Sequence, residues 1–270
     1  MNETEQAAKK ADGTMLSQTM NENADVKRLA ELEEENRHLK ETLHQYETYF
    51  RETMGRYLTD EVRDEILAHK DEELLSGERR EVTIFFSDLR HSTELSEAMP
   101  PAAFIRMLNH YLEEMIEIIN AWQGNILGFA GDAVIAVFGA PRPNEEAARD
   151  AVACAVALQR RMDKINQWNK EQGFPEIQMG IGIHTGEAIL GSIGSRTRMK
   201  YDMIGRNVNL ASRVEGFTKG GQILITTETL NAAGEMVLTR EGGSMMVRPK
   251  GIHEEVLIHD VIGFGAMRLS

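Results

Sequence analysis

Two aspartates, Asp88 and Asp132, stand at the ends of short apolar runs and are the side chains best suited to chemistry. Asp88 follows the run 82–87, and Asp132 interrupts the apolar segment 126–138. Such β-branched and aromatic runs predict buried strands. A carboxylate there is costly to bury without a cation or donors, and two on neighbouring strands could share the divalent ions that phosphate chemistry needs. The alternative is turn chemistry, because Gly131-Asp132 is a favourable hairpin-turn dipeptide.

The loop after Asp88 offers hydroxyl groups close to a predicted helix start. Ser92 and Thr93, with the backbone N–H groups around them, would suit a triphosphate held against bound metal. Either residue could equally be an ordinary helix N-cap.

A third cluster contains Asn209 and Arg213, which are four residues apart and therefore share one face of a helix. An amide and a guanidinium together can orient a ribose and neutralise the charge that develops on a transferring phosphoryl group. The alternative is a surface pair without a function.

The elements that must position these residues alternate between strands and helices. The order strand, helix, two strands, helix, strand predicts a split βαβ, ferredoxin-like core of α+β class, with a mainly antiparallel sheet and helices on one face. The expected elements are a strand at 81–87, a helix at 101–122, a hairpin at 125–138, a helix at about 144–172, a strand 177–184 paired with 186–193 across Thr185-Gly186, a helix at about 205–217 and a strand at 222–226.

The N-terminal part has a different pattern. Residues 1–24 are polar and predict disorder. In 25–55 a heptad seam predicts a parallel coiled-coil dimer, with Asn36 at an a position that favours one register; the alternative is an amphipathic helix packed on its own domain. The seam consists of Leu29, Leu32, Asn36, Leu39, Leu43, Tyr46 and Phe50.

Composition excludes several classes of function. The net charge of −13 argues against a nucleic-acid partner, and residues 1–78 hold 20 of the 43 acidic side chains. No apolar stretch reaches membrane-spanning length and the polar N-terminus is unlike a signal peptide, so we expect a cytoplasmic protein. Cys154, the single cysteine, lies on an apolar helix face and is expected in the core.

Taken together, the motifs resemble the class III nucleotidyl cyclase catalytic domain. The resemblance rests on the segment 86–90 (Phe-Ser-Asp-Leu-Arg), the turn at 131–133, and the order Asp202, Asn209, Arg213. It spans about 79–262. Residues 56–80 resemble the linker that precedes such domains, so the implied organisation is a disordered 1–24, a coiled-coil helix at 25–55, a linker at 56–80 and a catalytic domain at 81–270.

The resemblance implies a head-to-tail homodimer that makes cyclic nucleotides from nucleoside triphosphates at sites shared between subunits. In one subunit, Asp88 and Asp132 would hold two Mg²⁺ or Mn²⁺ ions, aided by the Leu89 carbonyl. One ion would lower the pKa of the ribose 3′-hydroxyl and the other would bind the triphosphate.

The partner subunit would complete the implied site. Asp202 would contact the base, Asn209 the ribose and Arg213 the α-phosphate. Lys250 matches the family position that binds the terminal phosphates.

The sequence departs from the family pattern in two places. Adenylate cyclases usually have Lys, and guanylate cyclases Glu, four residues before the second metal aspartate, where this chain has Gly128. Asp202 remains to accept from an adenine amino group, so we expect ATP over GTP with reduced discrimination. His91-Ser92 replaces the usual Gly-Phe, a change that could stiffen or reshape the phosphate-binding loop and so alter the turnover rate.

The sequence therefore predicts a homodimeric adenylate cyclase. Two alternatives stay open. One is a guanylate or mixed-specificity cyclase. The other is a dimerising regulatory module that binds nucleotide without turnover, which Gly128 and the altered loop would favour.

Overall fold

A computed structural model describes residues 27–29, 31–50, 53, 55, 62–63, 77–195, 197–249 and 254–269. The chain divides into two compact units, 1–58 and 59–270, each taken by itself below. The predicted disorder of 1–24, most of the predicted linker at 56–80, and Lys250 lie outside the described residues.

In the first unit, residues 27–29 and 31–50 are helical (α1). The apolar residues of the predicted seam are exposed within this chain: Leu29, Leu32, Leu39, Leu43, Tyr46 and Phe50. The helix is therefore present as predicted, and its parallel pairing with a second copy stays a prediction.

From Glu78 on, the described part of the second unit contains five helices and nine strands, and residues 62–63 before them are also helical. The helices are α2 (Ser92–Ala98), α3 (Pro101–Ala121), α4 (Ala147–Glu171), α5 (Arg206–Glu215) and α6 (Thr227–Ala233), with a 3-10 turn at Gly234–Met236. The strands are β1 (Glu78–Leu89), β2 (Asn125–Ala130), β3 (Ala133–Phe138), β4 (Met179–Ser195), β5 (Arg198–Ile204), β6 (Ile223–Thr226), β7 (Val237–Val247), β8 (Val256–Phe264) and β9 (Met267–Arg268).

The sheet confirms the predicted fold class. Its order is β2-β3-β1-β4-β6-β8-β7, with β5 paired to β4 and β9 paired to β8. The first four strands with the helices between them form the split βαβ core, and the described pairs are antiparallel except β4 with β6.

Side chains on the two sides of β1 pack into different cores, because successive side chains of a strand point to opposite sides of the sheet. Phe85 and Leu89 join the larger core, which α3 and α4 cover and which includes the buried Cys154. Val82 and Ile84 face a smaller core with residues of β5 and α5. The expectation that helices cover one face is wrong for α5, which covers the second face. Asp88 shares the alternation of Val82 and Ile84 and so lies on the α5 side of the sheet.

The predicted turn at Thr185-Gly186 is also wrong, because β4 runs unbroken from Met179 to Ser195. Along its first part it pairs with β1 through twelve residues of that strand. Thr185 continues the ladder, with its hydroxyl 2.9 Å from that of Thr83. Gly186 lies at a close approach and not in a turn, since a Cβ there would lie 2.6 Å from Nδ2 of Asn207 in α5.

Among the described residues, every helix is too short or too polar to cross a lipid bilayer.

Candidate active site

Asp88 and Asp132 meet at one end of the sheet. Asp88 is the penultimate residue of β1, and Asp132 lies in the tight turn between β2 and β3, where Gly131 has a φ of 68°. The Leu89 N–H donates to Oδ2 of Asp132 at 3.1 Å, and the two carboxyl groups are close enough to share a hydrogen bond when Asp88 is protonated. Asp132 is thus both a turn residue and a member of the site, because the turn directs its carboxylate back to β1.

The charge of the site is poorly compensated. Burial, the hydrogen bond that protonated Asp88 donates to the Asp132 carboxylate, and the negative charges of Asp132 and Glu215 together raise the pKa of Asp88 to about 7. Burial also raises the pKa of Glu215 above its ordinary value. Three carboxyl groups close enough to perturb one another create a demand for positive charge at this end of the sheet.

Arg90 meets part of that demand, a role that its place in the 86–90 segment does not predict. Its guanidinium pairs with the Glu215 carboxylate, lies 3.8 Å from Oδ2 of Asp88, and donates to the Asp88 carbonyl at 3.2 Å. Arg90 therefore links the end of β1 to the last residue of α5. The signal in the sequence was a cation two residues after a strand-end carboxylate, but its partner is distant along the chain.

Helix α5 lies close to the sheet because β4 carries a glycine beneath it. A Cβ on Gly182 would overlap the backbone N and Cα of Glu215. The buried side of α5 consists of Leu210, Ala211 and Val214.

Asn209 and Arg213 lie on the exposed side of α5. Neither side chain has a hydrogen-bond or ion-pair partner within the described part of its own chain. The predicted pairing on one helix face is therefore present, and both groups are available to a ligand or a second subunit.

Asp202 lies in β5 and has a partner within its own strand. Its Oδ2 accepts from Nζ of Lys200 at 2.9 Å, and its Oδ1 accepts from the Met203 N–H at 2.9 Å. Lys200 and Asp202 share one face of β5, which strand alternation could have indicated. A Cβ built on Gly128 would lie 3.2 Å from the same Lys200 Nζ.

Ser92 and Thr93 are the first two residues of α2. Neither is the N-cap, since that position belongs to His91, which has a φ of 60° and makes no side-chain capping bond. The N-cap alternative is therefore wrong, and their contact with a phosphate stays a prediction.

The donors at the strand ends fit a hard divalent cation. Mg²⁺ commonly binds through one or two carboxylates, with its other positions left to water and substrate phosphate. Asp88 and Asp132 supply that number, and the Leu89 carbonyl is a further oxygen. Burial and the neighbouring carboxylates raise the pKa of Asp88, and a bound divalent cation would oppose that shift. Within the described residues there is no cluster of three or more His, Cys, Asp or Glu side chains that could hold a metal by itself.

The fold and motifs have known counterparts. Residues 75–260 match the family described as the adenylate and guanylate cyclase catalytic domain. Adenylate cyclase 1 of Rhizobium meliloti (strain 1021) is 35% identical over 187 residues, which cover 68% of this chain and 28% of that protein. The chain thus matches less than a third of that relative's length.

Two solved structures are similar over nearly their whole length. The guanylyl cyclase Cya2 is 42% identical with a TM-score of 0.70, covering 72% of this chain and 99% of that one. The adenylyl cyclase CyaB from P. aeruginosa is 36% identical with a TM-score of 0.68, covering 73% of this chain and 100% of that one. With the paired strand-end aspartates in a split βαβ sheet, this chain belongs to the adenylate and guanylate cyclase catalytic domain family.

Proposed function

We propose that this chain converts a nucleoside triphosphate, with ATP favoured, into a 3′,5′-cyclic nucleotide and pyrophosphate at a homodimer interface. The observation that carries the proposal is the hydrogen-bonded pair of Asp88 and Asp132 at the ends of adjacent strands. A scaffold without chemistry has no need of a second carboxylate that raises the pKa of Asp88.

The metal-side residues would prepare the nucleophile. Asp88, Asp132 and the Leu89 carbonyl would hold two Mg²⁺ or Mn²⁺ ions, which when bound lower the pKa of the ribose 3′-hydroxyl and neutralise triphosphate charge. Arg90 holds Asp88 and Glu215 in place through its ion pairs. Ser92 and Thr93 would contact the phosphates from the start of α2.

The residues of α5 would act on the reacting groups. The ribose 3′-oxygen forms a bond to the α-phosphorus, the bond to the β-phosphate oxygen breaks, and the 3′-hydroxyl proton leaves to solvent. Asn209 would orient the ribose, and the Arg213 guanidinium would bind the α-phosphate oxygens as their charge develops. Lys250 would bind the terminal phosphates.

Sharing of the site between two subunits is supported by the exposure of Asn209 and Arg213 and by their lack of partners in their own described chain. A guanidinium placed to stabilise a reaction is expected to be free before substrate binds. We therefore infer that α5 of one subunit faces the paired aspartates of the other.

The test is to incubate purified protein with Mn²⁺ and either ATP or GTP and to identify the products by mass spectrometry. We expect cyclic AMP and pyrophosphate from ATP, with a slower reaction from GTP. The Asp132→Asn variant, which keeps the turn geometry but loses the charge, should be inactive. Absence of a cyclic product from both nucleotides would disprove the proposal.

Guanylate cyclase activity is the second candidate. Gly128 provides no side chain at the usual base-selecting position, and the guanylyl cyclase Cya2 is similar over 72% of this chain. A larger kcat/KM for GTP than for ATP in the same assay would favour it.

A mixture of two inactive variants tests the shared site. Asp88→Ala and Arg213→Ala proteins should each be inactive, whereas their heterodimer should contain one intact site. We expect up to about a quarter of wild-type activity after random subunit exchange of an equal mixture, because about half of the dimers are then mixed and each mixed dimer holds one intact site of two. Mixing Asp88→Ala with Asp132→Ala is the control, since both changes affect the same half-site. Heterodimers shown by mass spectrometry to form without any recovery would disprove sharing.

A further inference from the structure

The position that usually selects the base in this family is occupied by Gly128, but the space beside it is filled from another strand. A Cβ on Gly128 would meet Lys200 Nζ at 3.2 Å and Lys200 Cε at 3.5 Å, and no other atom comes within 4 Å among its three nearest neighbours. The end of the Lys200 side chain therefore lies where a side chain from Gly128 would begin.

This placement is fixed by packing and not only by a flexible side chain. Leu127, next to Gly128 in β2, and Met203 in β5 are buried in the same small core, and Tyr201 packs against it. Strand β5 is also held to β4 by a continuous antiparallel ladder from Ile189–Ile204 to Ser195–Arg198. The backbone at Lys200 is thus held by the ladder to β4 and by the packing of its neighbour Tyr201, and the Lys200 side chain remains 53% exposed.

Lys200 is also paired with the residue expected to read the base. Its Nζ lies 2.9 Å from Asp202 Oδ2, and both side chains project from the same face of β5. An exposed ion pair of this kind contributes little to stability, so a ligand can take over its hydrogen bonds without a large cost. The pair presents one group that only donates and one that, when ionised, only accepts.

We propose that Lys200 supplies the base-reading donor that Gly128 lacks, so that Lys200 and Asp202 together select adenine. The inference rests on the cyclase activity proposed above and names the specificity of that same site. Lys200 is a specificity-determining residue that would contact the base, and it reaches the pocket from β5 instead of β2.

The chemistry of the two purines gives the direction of selection. The Watson–Crick edge of adenine presents the N1 acceptor beside the N6 amino donor, whereas guanine presents the O6 acceptor with N1–H and N2–H donors. The Lys200 ammonium, which lies on the Gly128 side, would donate to N1 of adenine, and the Asp202 carboxylate would accept from the N6 amino group. Guanine in the same orientation would place its N1–H donor against the Lys200 ammonium, and that repulsion lowers its affinity.

The test measures kcat/KM for ATP divided by kcat/KM for GTP in the full-length protein. Lys200→Ala should lower this ratio at least tenfold, and Lys200→Glu, which places an acceptor there, should lower it further and raise the absolute rate with GTP. Arg198→Ala is the matched control, because it removes a positive charge from the same strand and should leave the ratio unchanged.

A rescue variant separates a direct contact from a structural effect. Gly128→Lys combined with Lys200→Ala returns the donor to the usual family position, and the space vacated by Lys200 accommodates the new side chain. We expect the double variant to recover the ATP preference that Lys200→Ala loses. A merely structural role for Lys200 would not be rescued by a lysine on another strand.

Failure of this inference can be told from failure of the proposed function. An active wild-type protein whose Lys200 variants keep the ATP:GTP ratio within twofold would overturn the role of Lys200 and leave cyclase activity intact. If the wild type makes no cyclic product, competition binding of ATP and GTP still tests the role of Lys200. In that case Lys200→Ala should weaken ATP binding and leave GTP binding unchanged. Equal weakening of both would overturn the inference.

Discussion

At the scale of single residues, the site depends on carboxylates whose charges are not balanced by their own chain. Asp88 and Asp132 share a hydrogen bond, and Glu215 adds further negative charge, with Arg90 as the neighbouring cation. Such an arrangement lowers the stability of the metal-free protein and favours metal binding. Functional sites commonly contain groups whose pKa values are perturbed in this way.

We expect Mn²⁺ affinity to increase about tenfold between pH 6 and pH 8, because the Asp88 carboxyl must lose its proton before it can bind a cation. The pKa of about 7 places this change in the accessible range. Isothermal titration calorimetry in buffers of different ionisation enthalpy would measure both the affinity and the proton released.

Two variants sharpen that experiment. Asp88→Asn should bind Mn²⁺ weakly and without this pH dependence, whereas Glu241→Gln, an exposed change in β7, should behave as wild type. Mn²⁺ binding that is independent of pH in the wild type would contradict the assignment of Asp88 as a ligand.

At the scale of elements, the position of α5 depends on the glycines of β4. Gly182 and Gly186 allow the helix backbone and Asn207 to approach the strand more closely than any side chain would permit. This approach brings Glu215 to Arg90 and presents Asn209 and Arg213 outward. The spacing of site residues on α5 is thus useful only because β4 lacks side chains beneath it.

Gly182→Ala should destabilise the protein by about 1–3 kcal/mol, because the new methyl group overlaps backbone atoms of Glu215 that cannot move independently. It should also reduce cyclase activity by displacing α5. Gly216→Ala is the matched control, since its Cβ would lie an ordinary 3.5 Å from the nearest atom. Urea unfolding of both variants measures the difference, and equal stability would contradict the close packing.

Two histidines near the centre of the sheet give the fold a pH dependence of its own. In β4, His184 is buried with Nδ1 2.9 Å from Oγ1 of Thr226, and in β8, His259 lies between hydroxyls of Thr227 and Ser244. Burial lowers the pKa of both below 6.5, although the Glu228 carboxylate opposes the shift. As the pH is lowered through about 6.5, these histidines bind protons in the unfolded chain before they do so in the folded one. The free energy of unfolding therefore decreases as the pH is lowered.

His184→Gln should therefore make the loss of stability between pH 7 and pH 5 less steep. The measurement is a series of urea unfolding curves across this range. His91→Asn, a change at an exposed histidine whose left-handed backbone suits asparagine, should retain the wild-type slope. An unchanged slope in His184→Gln would show that His184 does not carry the pH dependence.

At the scale of the whole molecule, the proposed reaction requires two chains, and α1 offers a way to bring them together. Its seam of leucines and aromatics is exposed in the single chain, which is expected for a helix that pairs with another copy. Pairing would raise the effective concentration of the two catalytic domains.

Leu39→Asp should weaken dimers and make specific activity rise steeply with protein concentration, because a charge at a d position opposes burial. His38→Asp places the same charge at a c position on the outer face and should leave the concentration dependence as in wild type. Activity measured over a range of dilutions, with sedimentation velocity for the oligomeric state, tests both. Equal behaviour of the two variants would contradict a role for the seam in dimerisation.

The sequence by itself determined the strands that end in Asp88 and near Asp132, the βαββαβ order, and the shared helix face of Asn209 and Arg213. These features are encoded locally, in residue types and their periodicity, so they can be identified without knowing which strands are neighbours. The continuous β4 shows the limit of such reasoning, because Thr185 and Gly186 have the local character of a turn and the ladder with β1 overrides it.

Only the tertiary structure decided which residues meet across long separations in the chain. It joined Arg90 to Glu215, brought Asp132 to the Leu89 N–H, and placed Lys200 against Gly128. The physical reason is that these contacts depend on the order of strands in the sheet and on how closely α5 and β5 approach it. Local propensity encodes neither, so the closeness of Lys200 to Gly128, on which the proposed base contact rests, is visible only in three dimensions.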